Sequence, residues 1–63
     1  MTEWIPLKID GTYQYINHKG EIVLRTNFAE AGFFSNGRAL VGEKQKDGKI
    51  LYGFIDTEGD AVI

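Results

Sequence analysis

Three acidic side chains fall within five positions, Asp56, Glu58 and Asp60, the last two flanking Gly59. Carboxylates this close are what general acid–base chemistry or a hard cation such as calcium would use. An EF-hand loop also needs a distal bidentate glutamate, and none is present. The simpler role is a solvated hairpin tip in which Asp56 caps its own turn, with weak cation or partner contact as the remaining option. A nucleophilic triad has little to draw on. Ser35 and His18 are each the single residue of their type, and both sit in polar clusters that read as turns rather than as a nucleophile and its base. Lys44, Lys46 and Lys49 surround Asp47-Gly48 and would suit a phosphate or RNA contact, but Glu43 and Asp47 dilute them. Gly32, Gly37 and Gly42 are spaced for turns, not for a phosphate-cradling loop. The expectation is therefore a protein without catalytic residues, metal or cofactor.

The elements that hold these residues are read from glycine. Asp10-Gly11, Asn17-His18-Lys19-Gly20, Lys46-Asp47-Gly48 and Asp56-Thr57-Glu58-Gly59 combine a residue tolerant of positive φ with an Asx side chain that closes a turn, the signature of hairpins. Between them lie short β-branched and aromatic runs at 4–9, 12–16, 21–25, 38–44, 49–55 and 60–63, of strand length. No helical period persists, and only 27–32 could form a single helical turn. The fold class expected is all-β, an antiparallel meander of about six short strands. Pro6 cannot donate to a ladder, so the first strand should be an edge. Alternation puts Tyr13 and Tyr15 on one face, and likewise Tyr52 and Phe54, with Ile16 and Ile55 opposite. Aromatics in small β domains usually pack, so the aromatic side is expected to be the core; an exposed aromatic platform is the alternative. Adjacent Phe33 and Phe34 cannot both face inward in an extended chain.

The chain repeats itself. Residues 13–24, YQYINHKGEIVL, align with 52–63, YGFIDTEGDAVI, thirty-nine positions later, with Tyr, Ile, Gly and Val identical. The unit is strand, Asx-x-x-Gly turn, strand. The run Tyr52-Gly53-Phe54-Ile55-Asp56-Thr57-Glu58-Gly59-Asp60-Ala61-Val62-Ile63 resembles the hairpin of the WG-repeat family of bacterial β-repeat proteins. Phe28, Ala31, Gly32, Phe34-Ser35, Gly37, Ala39 and Val41 resemble its linking segment in order. Tyrosine replaces the signature tryptophan in both copies, Gln14 replaces the glycine in the first, and Arg25-Thr26 stands where a proline is usual. The resemblance implies a repetitive β scaffold suited to binding, with no common catalytic residues. It divides a single domain, 1–63, into a first hairpin at 13–24, a linking segment at 25–51 and a second hairpin at 52–63.

Sixty-three residues bury only about 60% of the surface of the unfolded chain. With no cysteine and one histidine, no disulfide or multi-histidine site can staple so thin a core. Repeat units normally need neighbours, and the run at 60–63 ends apolar and uncapped, an edge open to pairing. Self-association through edge strands, or a complex with a protein partner, is the expectation. Seven basic against nine acidic residues, net −2, argue against nucleic acid. No apolar run reaches membrane-span length, and Met1-Thr2-Glu3-Trp4 lacks the pattern of a secretory leader, so a cytoplasmic location is expected. The function expected is a small interaction module with contact residues Trp4, Phe33, Tyr52, Asp56, Glu58 and Asp60. A compact inhibitor of a larger enzyme, encoded by a mobile element, is the alternative, and a glycan or cell-wall binder a further one.

Overall fold

The computed structural model describes residues 3–62. Seven strands run in order: β1 (Ile5–Ile9), β2 (Thr12–Ile16), β3 (Ile22–Arg25), β4 (Glu30–Ala31), β5 (Arg38–Lys44), β6 (Ile50–Asp56) and β7 (Ala61–Val62). They form two antiparallel sheets, β1-β2-β3 and β4-β5-β6-β7. No helix occurs among the described residues, so none is long and apolar enough to cross a membrane. The expected helical turn at 27–32 is replaced by β4, whose Glu30 and Ala31 pair with Gly42 and Val41. A ladder partner satisfies backbone groups that a single helical turn would leave open. β1 is an edge strand, as Pro6 requires. The expected last strand shortens to β7, also an edge, and Ile63 lies outside the described residues.

The turns follow their residues. Asp10 and Gly11 have φ of 52° and 88°, and Asn36 and Gly37 have 54° and 78°. Two successive positive φ values define the hairpin turn whose twist matches the strands. The other three hairpins share a different closure. In each, the N–H of the first residue donates to the carbonyl four residues on, and the glycine N–H donates back: Asn17 with Glu21 and Gly20, Gln45 with Lys49 and Gly48, Asp56 with Asp60 and Gly59. Glycine at positive φ is the residue such three-residue loops select.

The two sheets meet through a shared core in a body measuring 36 × 28 × 14 Å. Tyr15 of the first sheet and Ala39, Val41 and Ile55 of the second form the buried core. Trp4, Val23, Leu24, Phe28, Ala31 and Phe34 pack around it. The Phe34 ring lies 4.8 Å from Tyr15, tilted, and 5.4 Å from Trp4, edge-on. The segment joining the sheets is stitched to both. The Phe28 carbonyl accepts from Tyr13 N–H, Ala29 N–H donates to Gly42, and Gly32 N–H donates to Leu40. The Gln14 side chain accepts from Thr26 N–H at 2.9 Å and donates to the Thr26 carbonyl at 3.1 Å. Thr26 Oγ1 donates to the Tyr13 carbonyl.

Candidate functional site: an exposed aromatic sheet face

The β5–β6 register places Arg38 opposite Asp56, Leu40 opposite Phe54, Gly42 opposite Tyr52 and Lys44 opposite Ile50. Directly paired residues share a face, so these eight line the outer side of the second sheet. The intervening pairs, Ala39 with Ile55 and Val41 with Gly53, line the inner side, against Tyr15. The core of the second hairpin is thus its isoleucine side. The expectation that aromatics form the core holds for Tyr15 and is corrected for Tyr52 and Phe54, which are 59% and 50% exposed. The physical reason lies in layer order: the first sheet covers the Ala39, Val41 and Ile55 end of the inner side, leaving Leu51 at its far end exposed, and nothing in the described chain covers the outer side.

Gly42 shapes this outer face. A Cβ there would lie 2.6 Å from Ile50 Cγ2 and 3.0 Å from a Tyr52 ring carbon. Ile50 and Tyr52 therefore close over a glycine that has no side chain to hold them off, and Gly42 is buried although it belongs to the outer side. Beside them Leu40 and Phe54 stand exposed. The face runs from the β6–β7 turn, with its acidic tip, to the β5–β6 turn, near Lys44, Lys46 and Lys49.

The carboxylate oxygens of Asp56, Glu58 and Asp60 lie within 4.8 Å of one another. Asp56 Oδ1 already accepts from Glu58 N–H at 2.9 Å and from Asp60 N–H at 3.0 Å. Asn17 does the same with a neutral amide, its Oδ1 accepting from Lys19 N–H at 2.9 Å and Glu21 N–H at 3.0 Å. The geometry is thus what an Asx turn makes with either residue. Asp56 is partly buried, and Glu58 and Asp60 are exposed.

The remaining expected contact residues separate. Phe33 is 68% exposed while its neighbour Phe34 packs against the core, as adjacent residues in an extended segment must. Trp4 is half-buried, and its ring stands against Phe34, so it supports the core rather than offering a free surface. His18 and Ser35 are exposed in separate turns. An apolar cleft of about 340 Å³ opens on the inner side, where Phe28, Leu51 and Ala61 surround the Gly53 backbone. No atom lies within 4 Å of where a Gly53 Cβ would stand.

Leu40 and Phe54 were not among the sequence-derived contact residues. Pairing the alternation of 38–44 with that of 49–55 would have placed them together, but which side is covered depends on the other sheet.

Two units, β1-β2-β3 and β5-β6-β7, each a strand followed by an Asx-turn hairpin, define a β-repeat protein. The family model described as "WG containing repeat" matches residues 15–49, and the chain belongs to that family. No curated protein and no solved structure matches it.

Proposed function

We propose that the chain is a small, non-catalytic module that binds a protein partner. The observation that supports this most is the outer face of β5 and β6, where Leu40, Tyr52 and Phe54 are exposed together. Large apolar side chains grouped on one face of a soluble domain mark interaction surfaces, and aromatics are enriched where such surfaces bind protein. The exposed Phe33 ring and the acidic tip add a second anchor and a polar rim. A cysteine-free chain of mixed charge suits a reducing, cytoplasmic setting.

The reading is tested by immobilising the wild-type chain and the Tyr52→Glu and Phe33→Asp variants in a native-host lysate. Proteins retained by each are then identified by mass spectrometry. The expected outcome is a protein held by wild type and lost with Tyr52→Glu, and weakened at least tenfold with Phe33→Asp, while far-ultraviolet circular dichroism stays unchanged. An identical retained set on all three would remove the proposal.

A further inference from the structure

The two sheets can be superimposed residue by residue from their ladders. Ile5 pairs with Ile16 and Leu7 with Gln14 in the first; Ala39 pairs with Ile55 and Val41 with Gly53 in the second. The hairpin repeat makes Ile16 the counterpart of Ile55 and Tyr15 that of Phe54. Ile5 and Leu7 are therefore the counterparts of Ala39 and Val41. Their exposures are opposite: Ala39 and Val41 are 1% and 4% exposed, Ile5 and Leu7 42% and 44%. Tyr15 is fully buried, while Phe54 is half exposed.

One rule accounts for both inversions. Inside the molecule, the tyrosine side of one unit packs on the isoleucine side of the next. The first unit is left with an open isoleucine side (Ile5, Leu7, Ile9, Ile22) and the second with an open aromatic side (Leu40, Tyr52, Phe54). These are the two halves of the contact already seen at the core. The polar residues on the isoleucine side are Thr12, Gln14 and Arg25. The Gln14 amide is satisfied by Thr26 and Thr12, so covering it strands no hydrogen bond, and Arg25 stands at the β3 margin with its charge exposed.

We infer that a second copy of the chain occupies the open aromatic side, presenting its own isoleucine side, so that copies stack head to tail and continue the internal layer order. This rests on the interaction reading above and specifies the partner. It differs from edge pairing, since the contact is face to face. The surface area bears on its strength. The chain exposes 4704 Å², whereas a compact monomer of this mass would expose about 4,100 Å². Each copy in a stack covers two sides, so the excess of roughly 600 Å² is about 300 Å² per side, below the ~800 Å² that each partner contributes to a standard interface and in the range of a weak, concentration-dependent contact. The two contacting patches are different, so the interface is heterologous and assembly proceeds to a ring or an open stack.

Sedimentation velocity on purified chain tests this with two variants, Phe54→Glu on the aromatic side and Leu7→Glu on the isoleucine side. Wild type should form species larger than a dimer as concentration rises. Each variant alone should stay monomeric, since every contact needs both patches. An equimolar mixture should form a heterodimer and stop, because one intact patch remains on each variant and the two fit. A two-fold symmetric dimer would not be restored by mixing. A wild type that is monomeric at all concentrations, a variant that assembles as wild type does, or a mixture that stays monomeric overturns the inference. Far-ultraviolet circular dichroism checks that both variants fold; Phe54→Thr and Leu7→Thr, which keep strand propensity, replace any that do not. A monomeric wild type that still retains a foreign protein, lost with Tyr52→Glu, would end this inference and leave the interaction reading standing.

Discussion

Tyr15 combines packing and hydrogen bonding at the contact between the sheets. Its ring is buried against Phe34, and its hydroxyl donates to the Gly32 carbonyl at 2.7 Å. Burial disfavours the phenolate and pushes its pKa up to about 12. The sign of the pH effect follows. Between about pH 10, where the unfolded tyrosine ionises, and pH 12 the unfolded state holds fewer protons than the folded one. Stability from this group is whole below pH 10 and is lost as pH rises toward 12, by roughly 2 kcal/mol. Tyr15→Phe removes both effects. It should cost about 1–2 kcal/mol at neutral pH, through the carbonyl left without its donor. It should also flatten the alkaline fall in melting temperature relative to wild type. An unchanged alkaline profile in the variant would show that Tyr15 is not the group responsible.

At the scale of the element, glycine separates turns from close approaches. Gly42 and Gly53 are diagonal neighbours across the β5–β6 ladder, Gly42 paired with Tyr52 on the outer side and Gly53 with Val41 on the inner, and by type alone they would tolerate alanine equally. They should not. At Gly42 an added Cβ meets Ile50 at 2.6 Å, so Gly42→Ala should lift Ile50 and Tyr52 and cost about 1–3 kcal/mol as overpacking. At Gly53 there is open space, and Gly53→Ala should be neutral or stabilising by up to about 1 kcal/mol through reduced unfolded-state entropy. Thermal denaturation of the pair checks the contrast. The same scale shows what could be read before any coordinates. The hairpins closed at Gly11, Gly20, Gly48 and Gly59 were visible, because Asp-Gly and Asx-x-x-Gly runs state their turn chemistry locally, whereas Asn36-Gly37 read only as a turn; the edge position of β1 followed from Pro6. The two-residue β4 was not visible, because Glu30-Ala31 becomes a strand only by pairing with Gly42 and Val41. The aromatic side was assigned to the core in both hairpins, and only one obeyed, because burial is a property of the layer above and not of the alternation.

For the whole molecule, two sheets with four buried hydrophobic side chains among the described residues, Tyr15, Ala39, Val41 and Ile55, are a small store of stability for a chain of 63 residues. Domains of this size are marginal when alone. If copies stack through the open isoleucine and aromatic sides, part of the stability belongs to association and must respond to mass action. The melting temperature of wild type should then rise with protein concentration, by several degrees over about a hundredfold range, since about 1 kcal/mol shifts a domain of this size by roughly 4–8 °C. Phe54→Glu removes the contact without touching the core, so its melting temperature should be independent of concentration and match that of dilute wild type. Leu7→Glu should behave the same way, and the equimolar mixture should recover part of the concentration dependence. Differential scanning calorimetry at several concentrations decides this. A wild-type transition that does not move with concentration would mean that the four-residue core and its half-buried rim hold the fold unaided, and that both open faces are dispensable to its stability.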